Sequence, residues 1–242
     1  MMRSTRIPFY ATYYVASTLM GLTLLLAGCQ TAVVKPGSSA PAGELRSQPA
    51  AGSVHYTVDA QHSEVEFFVY KAGSLARFGH NHTVEARDFT GDVYLAPAFK
   101  DSIFSLKLPV KEFEVDRAEA REAAGDDFKS TPTASDIQGT TAHMLGSDGL
   151  DAQSYPEVTI QAVSVSGDMP KAEMTVRITL HGTARDVKVP VAVSPEGDAL
   201  TATGDFELRQ SEFGMQPYSA LGGALQVADT LKVHFKVLCH KS

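Results

Sequence analysis

The chain has 242 residues, 43% of them hydrophobic, with 21 Lys and Arg against 28 Asp and Glu for a formal charge of -7. That length and apolar content allow one substantial core, and the acidic excess without any Lys/Arg cluster excludes a nucleic-acid partner. With two cysteines in the whole chain, a disulfide framework is excluded as well.

Residues 1–28 read as an export signal, because Arg3 and Arg6 precede an apolar run ending in Leu22-Thr23-Leu24-Leu25-Leu26. Thr12, Tyr13, Tyr14, Ser17 and Thr18 dilute that run below the ~20 apolar residues of a membrane-spanning helix. Leu26-Ala27-Gly28-Cys29, small residues leading into one cysteine, resembles the cleavage and acylation site of bacterial lipoproteins. The resemblance implies that Cys29 becomes the lipid-bearing first residue. Gln30 in place of Asp after it implies the outer membrane, periplasmic side. Cys239 then has no partner within the chain and is expected to be a small thiol without chemistry. Residues 29–53 are rich in Pro, Gly, Ser and Ala and cannot bury enough surface to fold, so they are expected to form a lipidated flexible tether with a reach of about 25 to 30 Å.

Residues 54–242 are expected to form one domain, in which the dominant signal is period-two alternation, the mark of strands with one face in a core. Val65, Phe67 and Val69 share a face against Glu64 and Glu66, and a strand over 91–95 follows. Phe104, Leu106, Leu108 and Val110 alternate with Ser105, Lys107 and Pro109. A long break over 111–151 contains Arg117-Ala118-Glu119-Ala120-Arg121-Glu122-Ala123-Ala124, which predicts a short helix. A connection of that length inside a compact domain is usually a lid or binding loop. Strands resume over 158–165, then through Met174, Val176, Ile178 and Leu180, and through Val187, Val189, Val191 and Val193. The last two run through Leu200, Ala202, Phe206 and Leu208, and through Leu231, Val233, Phe235 and Val237. Short turns such as His181-Gly182-Thr183 and Pro195-Glu196-Gly197-Asp198 suit antiparallel hairpins. The expected fold is all-β, an eight-stranded antiparallel barrel with one long helix-containing connection; closure removes exposed sheet edges and leaves room for one ligand.

Several weak motifs occur in a recognisable order. They are Tyr56-Thr57-Val58-Asp59 with His62-Ser63, then His143-Met144 with Leu150-Asp151 and Tyr155-Pro156. Leu180-His181-Gly182-Thr183 follows, then Gly204-Asp205-Phe206-Glu207-Leu208 with Ser211-Glu212-Phe213-Gly214-Met215. Over about residues 55–238 this order resembles the YceI-like family of polyisoprenoid-binding proteins. The resemblance implies a lipocalin-like barrel with an elongated apolar cavity for isoprenoid chains such as quinones or polyprenyl phosphates. The chain departs from the family at Arg77-Phe78-Gly79-His80-Asn81-His82, at Thr140 where an arginine is usual, and at Arg209, one residue ahead of the family's arginine, whose place Gln210 takes.

An isoprenoid site needs a long apolar channel with a few polar groups at its mouth. Val65, Phe67, Phe104, Leu106, Val176, Ile178, Phe206 and Phe235 are expected to line the channel, the competing reading being a barrel packed solid as an inert envelope or interaction module. Arg77, His80 and His82 are expected at the mouth, facing a carbonyl or phosphate. His80 and His82, two apart on extended backbone, point the same way, so a second reading makes the chain a metal-binding protein of the cell envelope. It requires His143, His181 or an acid to complete the ligand set. His143 is otherwise expected to fix the backbone of the long connection. No nucleophile elbow, phosphate loop, His-Glu-x-x-His or dinucleotide fingerprint occurs, so no enzyme is expected, and no cofactor beyond a bound isoprenoid lipid or quinone.

Overall fold

A computed structural model describes Ser38–Ser39 and residues 41–242, so the expected signal peptide and Cys29 lie outside the described residues. The alternating stretches build strand segments β1 (Val54–Val58), β2 (Glu64–Val69), β3 (His82–Ala86), β4 (Thr90–Leu95), β5 (Ile103–Pro109) and β6 (Phe113–Val115). Five longer strands follow: β7 (Glu157–Asp168), β8 (Lys171–Leu180), β9 (Thr183–Glu196), β10 (Ala199–Arg209) and β11 (Thr230–Lys241). The first six segments are three bent strands. β1 continues into β2, β3 into β4 and β5 into β6. Asp88 and Asp116, with φ of 50° and 54°, take the left-handed backbone just past the ends of β3 and β6, a conformation that Asp tolerates better than most residues.

Each strand pairs with its neighbour in sequence, all antiparallel. The bent strands pair in order, β7 joins β5, and β7 to β11 form a continuous meander. β11 then closes the ring onto β1 and β2, giving the expected eight-stranded barrel. Gly91 in β4 lets this strand lie close to β5, since a Cβ there would run into Leu106 and stand 2.8 Å from the Ser105 carbonyl. Inward-facing side chains such as Val65, Leu108, Ile178, Val187 and Val233 are buried, as alternation predicts. No helix among the described residues is long and apolar enough to cross a membrane.

The predicted helix over 117–124 is present as α1 (Ala118–Ala123). A second helix, α2 (Ala134–Leu145), was not expected, because Ser135, Asp136, Gly139, Thr140 and Thr141 give it little propensity. A capping box starts it. Thr133 accepts a hydrogen bond from the Asp136 backbone at 3.2 Å, and Asp136 accepts one from the Thr133 backbone at 2.8 Å. Ile137, Met144 and Leu145 pack it onto the core. At the same end of the barrel, the β10–β11 connection folds into Ser219–Ala220 and Leu225–Val227, which form a small sheet with Lys71–Ala72.

The free tether expected over 29–53 is shorter than composition suggests, because its second half is laid against the barrel. Ser38 and Ser39 pair with Val187 and Asp186 on a stretch of β9 that β10 leaves free, β10 pairing only over 192–196. Asp186 then accepts the Ala42 N–H at 3.0 Å, and Arg177 donates to the Gly43 carbonyl at 2.7 Å. Arg46 reaches Asp101 at 3.0 Å. This segment buries little apolar surface and is held instead through its backbone by a cross-strand Arg177–Asp186 ion pair.

Candidate functional site

Inside the barrel lies a cavity of about 640 Å³, within the ~300 to 1,000 Å³ range of ligand sites. Eight strands enclose an interior just wide enough for side chains to fill. Here many of the inward positions carry valine, among them Val65, Val84, Val176, Val189, Val191 and Val233, which are too short to meet across the axis. All eight residues expected on the wall, Val65, Phe67, Phe104, Leu106, Val176, Ile178, Phe206 and Phe235, line this space. Buried Phe99 and Ser102, from the connection between β4 and β5, line the closed end. At the other end the lining includes exposed Phe78 and Tyr218, so the cavity reaches the surface there.

The mouth is built from three pieces: the segment between β2 and β3, helix α2 and the β10–β11 connection. Buried Asn81 fixes the first piece, donating to the Asp127 carbonyl at 2.8 Å and accepting the Lys71 N–H at 3.0 Å. His80 and His82 flank it with ring centroids 6.4 Å apart, and both line the cavity. The Nδ1 atom of His82 is 2.6 Å from Oδ2 of Asp116, which is fully buried. Asp116 also accepts the Thr83 N–H at 3.1 Å and pairs with Arg121. Arg121 also donates to the carbonyls of Asn81, Phe128 and Ser130 at 2.8, 2.7 and 2.6 Å. Burial opposes ionisation of Asp116, but the bond to and charge of His82, with Arg121 and the Thr83 N–H, hold its carboxyl below the ordinary 3.8. The anchored Nδ1 leaves Nε2 as the ring nitrogen of His82 free for a ligand. His80 contributes a buried Nδ1 with no hydrogen-bond partner among the described residues.

Two expectations at the mouth are corrected. Arg77 does not line the cavity; the tight helical turn Ala76–Phe78 turns it outward, with its guanidinium 4.4 Å from the centre of the Phe78 ring. His143 packs its ring on Tyr218 at 4.7 Å and lines the mouth, instead of holding the backbone of the connection. The metal reading lacks its ligands: among the described residues no three His, Cys, Asp or Glu are placed to hold an ion. Asp116 occupies one nitrogen of His82, and His181 packs on Tyr155 at 4.6 Å.

Asp136, Thr140, His143 and Met144 of α2 also line the site, together with Arg209, Gln210, Tyr218 and Gln226. Their i, i+4, i+7 spacing on α2 is a helical signal that reading Thr133 and Asp136 as a capping box would have exposed. Cys239 lines the wall near the closed end, where burial pushes its thiol up to about 11.

A model of the YceI-like domain matches residues 56–238. Among solved structures, BcnA of Burkholderia cenocepacia is 20% identical with a TM-score of 0.55, over 75% of this chain and 98% of that one. A polyisoprenoid binding domain from Saccharophagus degradans, implicated in plant cell wall breakdown, is 12% identical with a TM-score of 0.53, over 78% of this chain and 99% of that one. No curated protein sequence matches the chain. At such identities the structural likeness establishes the fold, whereas the family match spans nearly the whole barrel and its mouth, and by it the chain belongs to the YceI-like family.

Proposed function

We propose that the barrel binds an amphiphile with an isoprenoid-like tail, a quinone or polyprenyl lipid, and carries or sequesters it without chemical conversion. The observation that carries this reading is the single-ended apolar cavity with two imidazoles at its mouth. The name of the Saccharophagus domain, a polyisoprenoid binder with the same fold, supports it. Burying each CH2 of a tail contributes about 0.8 kcal/mol, so affinity comes from the wall. His82, its Nδ1 held by Asp116, presents Nε2 to orient a head-group carbonyl or phosphate, with the His80 ring beside it. The Cys29 motif supports a lipid anchor that holds the domain at the outer membrane on its periplasmic side.

The reading is tested by solvent extraction and mass spectrometry of protein purified from its native host. A stoichiometric isoprenoid amphiphile is the expected result. Protein with no extractable amphiphile, and no rise in melting temperature on adding quinone or polyprenyl phosphate, would overturn it.

A further inference from the structure

Three large apolar side chains stand in water at the open end of the barrel: Leu221 at 72% exposure, Phe78 at 66% and Tyr218 at 43%. Phe78 and Tyr218 also line the cavity, so this surface is continuous with the apolar interior. The two loops that carry Phe78 and Leu221 are pinned together. Leu225–Val227 pairs with Lys71–Ala72, and the Leu75 N–H donates to the Ala224 carbonyl at 2.8 Å. Leu221 itself has a φ of 52°, followed by Gly222 and Gly223 at 66° and 92°. The left-handed backbone is unfavourable for a bulky residue and easy for Asn or Gly, so this leucine is both strained and exposed to water. Removing its side chain from water would offset both penalties.

The chain's own path narrows the choice of what covers this rim. Ser38 pairs with Val187, four residues along β9 from its start at Thr183, and Ser39 pairs with Asp186, so the chain runs toward the mouth over Ser38–Ser39. Eight residues lie between Cys29 and Ser38, and the nine Cα steps span at most about 30 Å when fully extended. An acyl anchor at Cys29 would therefore hold the domain within reach of the bilayer, and the exposed apolar rim around the mouth is the described surface suited to enter it. Arg77, whose guanidinium is stacked on the exposed Phe78 ring, adds a donor for lipid phosphate at the same spot. We infer that the rim formed by Phe78, Leu221 and Tyr218 docks on a phospholipid bilayer, mouth first, so that a ligand passes between membrane and cavity without crossing water. The inference takes the anchor and the cavity ligand from the reading above.

The chain contains no tryptophan, so single-tryptophan variants report position cleanly. Phe78→Trp and Leu221→Trp probe the rim, and Glu196→Trp probes the β9–β10 turn at the opposite end. The mature chain, carrying a histidine tag in place of residues 1–28 and Cys29→Ala, is held on phosphatidylethanolamine/phosphatidylglycerol vesicles by nickel-chelating lipid, so the result does not depend on acylation of Cys29. With brominated acyl chains in the vesicles, quenching at 78 and 221 is expected to exceed that at 196 by at least threefold, with blue-shifted emission. Equal, weak quenching at all three positions would overturn the proposal, as would a dimer in solution, by sedimentation, that Leu221→Asn dissolves. Flotation of untagged protein reports on the anchor and solvent extraction on the ligand, so failure of either is distinguishable from failure of the rim.

Discussion

Two buried side chains show how the barrel interior alters chemistry at the level of single residues. Cys239 is 2% exposed and its thiol is pushed up to about 11 by burial, so little thiolate exists at neutral pH. The folded protein is expected to resist alkylation by iodoacetamide for hours and to label fully in denaturant, as followed by mass spectrometry. Asp116 is the opposite case, a buried carboxyl kept ionised by His82 and Arg121. Because its folded pKa lies below the unfolded one, its contribution is fully present above about pH 4 and drains away as the pH falls through the folded value. Asp116→Asn strands the Arg121 cation and is expected to cost about 3 kcal/mol at pH 7 in urea unfolding. The gap between wild type and variant should narrow as the pH falls below 3.8; a gap that does not change with pH would mean that packing, not charge, accounts for the loss.

Among the elements, the strands and α1 were readable because their residue patterns are periodic over their own length. The strand through Val187, Val189, Val191 and Val193 and the alanine-rich α1 need no partner to be recognised. α2 is different. Its interior is polar and Gly139 interrupts it, so its stability comes from the cap and from docking Ile137, Met144 and Leu145 on the barrel, a contact that exists only after folding. Thr133→Ala is expected to remove about 1 kcal/mol. Hydrogen exchange should report it as roughly fivefold faster exchange confined to residues 134–145, since opening free energy converts directly to exchange rate. Unchanged exchange there would show that docking alone holds the helix. His80 and His82 belong to this scale too. Their spacing was legible, but whether they meet a metal or a ligand depended on Asp116 and α2, which reach them from other parts of the chain.

For the whole molecule, what matters is that the barrel is left open along its axis. A packed barrel and a ligand-binding one have the same alternating strands, and they differ in the summed volume of inward side chains against the enclosed space. Val176→Phe places extra volume in that space and is expected to reduce co-purified amphiphile at least tenfold while changing stability by less than ~1.5 kcal/mol. Ligand recovery equal to wild type would place the tail elsewhere.

Strand number, antiparallel pairing and the inward set from Val65 to Phe235 were legible in the sequence, because alternation is a local record of which face is buried. The motif order likewise located the family. Only the tertiary structure decided that the inward set surrounds a void, that Arg77 turns away from it, and that Ser38, Ser39, Ala42, Gly43 and Arg46 are held on the outside of the barrel. Each of these depends on distances across the barrel or between loops far apart in sequence, and no local pattern of residue types encodes such distances.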